Sequence, residues 1–312
     1  MSGNRGTVLL TGGSGFVGRH VAPALEAAGW KVRRALRRPQ AGQDDIPIDA
    51  IGPHTDWRQA LAGVDAVIHL AARVHRPNEE HATELYRNVN VEGTLQLARS
   101  AAAAGIRRFI FVSTILVNGR STDGRGPFDE SDVLTPRGIY GHSKAAAEAG
   151  LKAVSEAGRL GVTVIRPPLV YGAGAKGNFR LLVLAARYGI PLPFASIRNR
   201  RAFLSIENLV SFMVDRLERA DAPFEVFVVA DNEQVSTPEF CRRLAEAAGR
   251  KPRLFPLPVS ILSPLLRLSG RVEAHDSVIG SLELDTSRAA ATGWRPLLTI
   301  EEGLRRAMTD AG

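Results

Sequence analysis

The sequence predicts an α/β fold, a doubly wound parallel sheet with a smaller C-terminal lobe. Three observations carry that expectation. Short apolar runs alternate with helix-length segments through the first half of the chain, a glycine-rich turn joins the first run to the first helix, and prolines crowd the stretch from Pro191 to Pro264. At 312 residues the chain is about twice the ~150 residues of a common domain, enough for one large unit or two lobes.

In order, Thr7–Leu10 reads as the first strand and Phe16–Ala28 as the first helix, ended at Gly29, where a left-handed cap forms easily. Lys31–Leu36, Ala66–Leu70, Phe109–Ser113 and Val162–Ile165 follow as strands. Leu95–Ala104, stopped by Gly105, and Ser143–Glu156 read as helices between them. Later, Phe224–Ala230 is a strand able to rejoin the main sheet, Thr237–Ala248 a helix capped by Ser236 or Thr237, and Glu301–Met308 the last helix. The expected division is a nucleotide-binding domain over 1–174, rejoined by about 205–232, and a substrate lobe over 175–204 and 233–312.

Composition narrows the function classes. Hydrophobic residues at 45% and charged residues at 23% describe a globular protein. A single cysteine, Cys241, excludes an internal disulfide and a multi-cysteine zinc site, and points to the reducing cytoplasm. No membrane span or leader is expected. The apolar stretch Leu254–Leu268, broken by three prolines, is read as lobe packing, with peripheral membrane contact as the alternative. The net charge of +8 raises nucleic acid as a partner. Only five of the 40 basic residues are lysines, however, and no basic helix carries interleaved aromatics. Nucleic acid is therefore set aside in favour of an anionic small molecule, which arginine forks suit.

Two motifs carry chemistry. Gly12, Gly15 and Gly18, with Phe16 and Val17 among them, lie directly between a strand and a helix. Glycines there let the backbone approach a pyrophosphate whose charge the helix N-terminus meets, so a dinucleotide is expected. The end of the second strand carries Leu36 where NAD-binding chains place a carboxylate, and Arg37 and Arg38 follow. Two guanidiniums without a carboxylate favour NADP(H) over NAD(H), unless they form an ordinary solvated turn. Tyr140 and Lys144 are four apart at the start of a helix, hence on one face, an acid/base pair in which the ammonium is expected to lower the phenol's pKa.

Together with His69–Ala72, Asn88–Thr94, Val112–Thr114 and Arg166–Gly172, these segments occur in the order seen in extended short-chain dehydrogenases/reductases. The chain resembles their nucleotide-sugar epimerase/dehydratase/reductase group, with a Rossmann fold, over about residues 7 to 305. The resemblance implies Tyr140 as acid/base, Lys144 as its partner and ribose ligand, Thr114 as the hydroxyl orienting the substrate (Ser113 as fallback), and Asn90 as the group steadying the active-site helix. It further implies Asp49, Leu70, Ala71, Ala72, Ser113, Pro167 and Val170 along the cofactor, and Asn178 and Arg201 toward a nucleotide sugar. The common pattern is departed from at Leu169, Asn118 and Ser205, which replace a substrate asparagine, a tyrosine and a histidine. The implied activity is hydride transfer at carbon 4 of a UDP-sugar in a cytoplasmic homodimer serving O-antigen-type synthesis. Reduction of a UDP-4-keto-6-deoxy sugar, as in the enzymes that make UDP-N-acetylquinovosamine, comes first and 4-epimerisation second. A non-catalytic NADP-binding sensor is the remote alternative.

Overall fold

Strands that read as continuous apolar runs are buried on both faces, which requires helices on each side of a parallel sheet. The computed structural model, which describes residues 5–39, 44–74, 82–158, 160–219, 222–268 and 276–309, has that arrangement. Strands β1 (Thr7–Thr11), β2 (Lys31–Leu36), β3 (Asp45–Pro47), β4 (Ala66–His69), β5 (Arg108–Val112) and β6 (Gly161–Arg166) form a sheet in the order β3-β2-β1-β4-β5-β6. Every one of these pairs is parallel. The order reverses between β1 and β4, the point at which doubly wound sheets bind ligands at the carboxyl ends of their strands. Leu9, Val67, Phe109, Phe111, Val162 and Val164 pack in one core cluster with Leu97, Ala98 and Ala101 of the Gly93–Ala103 helix and Leu151 of the Gly138–Ala157 helix.

The expected strands and helices are present with ends shifted by a few residues. The largest shift is in the helix expected from Ser143, which begins at Gly138 and so includes Tyr140. Gly29 and Gly105 have φ of 87° and 76°, the left-handed caps anticipated. A last strand, β9 in sequence order (Phe224–Val228), lies beside β6 at the edge of the sheet.

The chain divides into two compact units. The first is Met1–Asn118, Val133–Arg166 and Val210–Phe227, and the second Gly119–Asp132, Pro167–Leu209 and Val228–Gly312. The division departs from the expected one at Gly119–Asp132 and from Pro167 onward, because backbone pairing ties these segments elsewhere. Thr122 donates its N–H to Ser281 and Phe128 to Glu283. β7 (Leu169–Tyr171) runs parallel to β8 (Arg201–Ser205), which pairs antiparallel with β10 (Gln234–Val235). Around this small sheet Tyr171, Phe179, Phe203 and Phe240 pack ring against ring. Among the described residues no helix is long and apolar enough to cross a membrane, and no cluster of metal-ligating side chains is found.

Candidate active site

The site starts where β1 and β4 end. Gly12 has φ of 72°, and a Cβ on it would stand 2.7 Å from the backbone nitrogen of Ala71. Only glycine therefore lets this turn lie against the Leu70–Ala71 backbone, which is also held to Thr11 through the Ala71 N–H at 3.3 Å. A Cβ on Gly18 would collide with the Gly12 carbonyl and the Gly13 Cα. The Phe16–Ala27 helix begins at Gly15 with no side-chain cap and no acidic residue in its first turn. Its N–H groups and dipole are thus left for an anion. This side-chain-free cradle fits a dinucleotide diphosphate.

Toward the other end of the dinucleotide's expected path, the arginines in and just after β2 divide into two sets. Arg34 is paired with Asp45 at 2.7 Å and Arg33 with Asp44 at 3.2 Å. Arg37 and Arg38 are exposed and have no hydrogen-bond or ion-pair partner among the described residues. Asp49 lies exposed just beyond β3.

At the carboxyl end of β5, Thr114 caps a short 3₁₀ turn, Ile115–Val117, accepting the Leu116 N–H at 3.3 Å. The Gly138–Ala157 helix comes close to that turn because residue 141 is glycine: a Cβ there would be 3.1 Å from the Leu116 carbonyl oxygen. Tyr140 and Lys144 are thereby carried on the helix beside Thr114. Lys144 is 2% exposed, donates from Nζ to the Val112 carbonyl at 2.7 Å and stands 4.2 Å from the centre of the Phe111 ring. Burial pushes its ammonium down to about 7, with Glu148 opposing. Burial, followed by the nearby Tyr86 phenol, moves Tyr140 up from its ordinary value. The expected lowering of the phenol is therefore not found. The ammonium is 6.0 Å from the Tyr140 ring centre, and desolvation outweighs its field.

Asn90 lies in a π-helical turn, Arg87–Glu92, and is 1% exposed. Its Nδ2 donates to the Ser143 Oγ at 2.9 Å and to the Arg73 carbonyl at 2.9 Å, while Oδ1 accepts the Arg73 N–H at 2.7 Å. Ser143 in turn donates to the Tyr140 carbonyl at 2.8 Å. One amide thus links the segment after β4 to the first turn of the Tyr140 helix. His69 is clamped between the Thr11 and Thr94 hydroxyls at 2.7 and 2.9 Å, and burial holds it neutral, down to about 3.

Glu148 and Arg166 carry no role in the sequence reading. Both are buried, joined by an ion pair at 2.6 Å. Glu148 accepts the Ser113 hydroxyl, and Arg166 donates to the Asn118 Oδ1 at 3.2 Å. The Asn118 side chain belongs to this network, and its backbone carbonyl accepts the Thr135 hydroxyl. The available signal was spacing: Glu148 is one helical turn beyond Lys144.

The remaining predicted residues lie in the second unit. Pro167 is buried, Val170 half-buried in β7, and Asn178 exposed at the first position of the Asn178–Tyr188 helix. Arg201 is 7% exposed, and its Nη1 donates to the Asp276 and Gly280 carbonyls at 2.8 and 2.5 Å. Burial lowers it to about 10 against the pull of Asp123 and Asp276.

Residues 8–230 match the model of the NAD dependent epimerase/dehydratase family. The chain belongs to that family. It is accordingly a nicotinamide-dependent enzyme of the epimerase/dehydratase type, an extended short-chain dehydrogenase/reductase with a Rossmann sheet. Over 307 residues, 96% of this chain and 94% of the relative, it is 37% identical to a UDP-glucose 4-epimerase of Vibrio cholerae. It is 27% identical to an N-acetyl-α-D-glucosaminyl-diphospho-ditrans,octacis-undecaprenol 4-epimerase of Escherichia coli O157:H7, covering 96% and 94% of the two chains. Among solved structures, the UDP-glucose 4-epimerase of Thermus thermophilus in complex with NAD superposes with a TM-score of 0.78 at 23% identity, covering 97% and 98%.

Proposed function

We propose that the enzyme transfers hydride at carbon 4 of a UDP-sugar, running a net reduction of a 4-keto-6-deoxy sugar in the cytoplasm, as a homodimer, for surface polysaccharide synthesis. The observation that supports the chemistry is the Tyr140–Lys144 pair, on one helical face next to Thr114, at the same sheet edge as the Gly12–Gly18 cradle. A nicotinamide dinucleotide held at that edge supplies the hydride donor and acceptor. Tyr140 delivers or removes the proton on the sugar oxygen, Thr114 orients that oxygen, and Lys144 sits behind the phenol and reaches the ribose. Asn90 positions the Tyr140 turn through Ser143. Leu70, Ala71, Ala72 and Ser113 line the cofactor, with Asp49 toward the adenine. Pro167 and Val170 are assigned to the cofactor and Asn178 and Arg201 to the sugar nucleotide, as the resemblance implies.

Reduction is preferred over epimerisation because Arg37 and Arg38 are unspent, while Arg33 and Arg34 are neutralised by β3. A pair of free guanidiniums suits a 2′-phosphate, and NADPH is the cofactor that cells keep reduced. Arg37→Ala is expected to weaken NADP(H) by about 1.5–3 kcal/mol, roughly 10- to 150-fold, and NAD(H) by no more than a few-fold. Equal losses for both cofactors in a binding titration would refute the assignment. The second reading, 4-epimerisation, is favoured by the names of both relatives. The two separate in paired assays, one supplied with a UDP-4-keto-6-deoxy sugar and reduced nicotinamide and one with a 4-hydroxy UDP-sugar such as UDP-glucose. Stoichiometric loss of reduced-nicotinamide absorbance supports reduction, and interconversion of UDP-sugar epimers without net absorbance change supports epimerisation.

A further inference from the structure

The positive charge of this chain is concentrated. Residues 176–200 and 247–272 contain ten lysines and arginines and no aspartate or glutamate, more than the whole net charge of +8. Described parts of these two segments, 176–200 and 247–266, come together in the second unit. Leu182, Leu192, Phe194, Ile197, Leu254 and Leu262 share one hydrophobic cluster. The Leu192 carbonyl accepts the Phe255 N–H and the Leu192 N–H donates to the Arg253 carbonyl across the two segments, and the Arg253 Nη1 donates to the Gly189 carbonyl at 3.4 Å.

The same region carries most of the exposed large apolar side chains. Of the ten among the described residues, Leu181, Tyr188, Ile190, Phe255, Ile261 and Leu265 are here, each at least 44% exposed. The Val259–Leu268 helix is apolar on both sides: Leu262 and Leu266 face the cluster, while Ile261, Pro264 and Leu265 face outward at helical spacing. A surface helix of a soluble domain places polar groups on its outer face. Arg180, Arg250, Lys251 and Arg253 are exposed around this apolar surface.

We propose that this surface docks on an anionic lipid membrane, with the Ile261–Leu265 face and Phe255 entering the headgroup boundary and the surrounding guanidinium and ammonium groups meeting lipid phosphates. Apolar residues flanked by cations without carboxylates are what an interfacial anchor requires, since each cation gains from the negative surface while the apolar face gains from leaving water. A second copy of the chain is a poorer occupant, because pairing two such surfaces opposes like charges. The inference is independent of the reaction assigned above, as it uses none of the residues placed at the nucleotide site.

The test is flotation of the full chain with vesicles of phosphatidylcholine alone and of phosphatidylcholine with phosphatidylglycerol. Binding is expected only to the phosphatidylglycerol vesicles and falls as salt is raised. Lys251→Glu with Arg253→Glu lowers partitioning by about tenfold or more, and Ile261→Ser with Leu265→Ser lowers it comparably. All four side chains are exposed, so both double variants are expected to keep the wild-type melting temperature. No binding to phosphatidylglycerol vesicles would overturn the proposal. So would full binding by the Ile261→Ser, Leu265→Ser variant, which marks a purely electrostatic surface, or lipid-independent dimerisation abolished by that variant, which marks a second copy as the occupant.

Discussion

Tyr140→Phe is expected to lower turnover by about 10²- to 10⁴-fold, the contribution of a positioned general acid or base, with cofactor affinity held within a few-fold. The substitution removes one oxygen from a half-buried ring and leaves the ring's packing in place. Asn90 donates to the Ser143 hydroxyl, which donates to the Tyr140 carbonyl and not to the phenol, so the helix start stays tethered. Activity in the variant above about a tenth of wild type would remove Tyr140 from the role, because a misplaced general acid at that level is outside the range for this effect. Cofactor binding by fluorescence, run beside the kinetics, separates loss of proton transfer from loss of the fold.

Glu148→Ala is expected to destabilise the protein by about 3–5 kcal/mol, the cost of breaking a buried ion pair from one side. Arg166 and Glu148 are each 4% exposed, and the variant would leave the guanidinium with Asn118 as its one side-chain hydrogen-bond partner among the described residues. Ser113 would lose its acceptor as well. Equilibrium urea unfolding reads the effect as a lower midpoint at an unchanged slope. A loss below about 1 kcal/mol would place this pair with exposed salt bridges, which contribute that little. Paired substitution to Leu at both positions should recover part of the loss, since no charge then remains unpaired.

Much of the first unit was legible in the residues because its signals are local. Val8–Leu10 and Phe109–Phe111 are apolar without alternation, which already implies a sheet covered on both faces. The glycine spacing at 12, 15 and 18 is a steric statement about one turn, and Tyr140 and Lys144 lie four apart on whatever helix contains them. Arg37 and Arg38 could be found by counting, whereas the spent state of Arg33 and Arg34 depends on Asp44 and Asp45, eleven residues on.

Other features needed the folded chain. Glu148 and Arg166 are eighteen residues apart and look like ordinary surface charges until helix and β6 bury them together. The lobe boundary at Gly119 rests on pairing with residues beyond 280. Leu254–Leu268 reads from sequence as one apolar stretch, and only packing divides Leu262, which is buried, from Ile261 and Leu265, which are not. Local spacing and hydrophobic period act within a few residues, so the sequence alone determined the parallel sheet, the phosphate-binding turn and the tyrosine–lysine pair. Which charges are neutralised, which apolar groups stay in water and how the phenol titrates are set by desolvation and by partners distant along the chain, and those the tertiary structure decided.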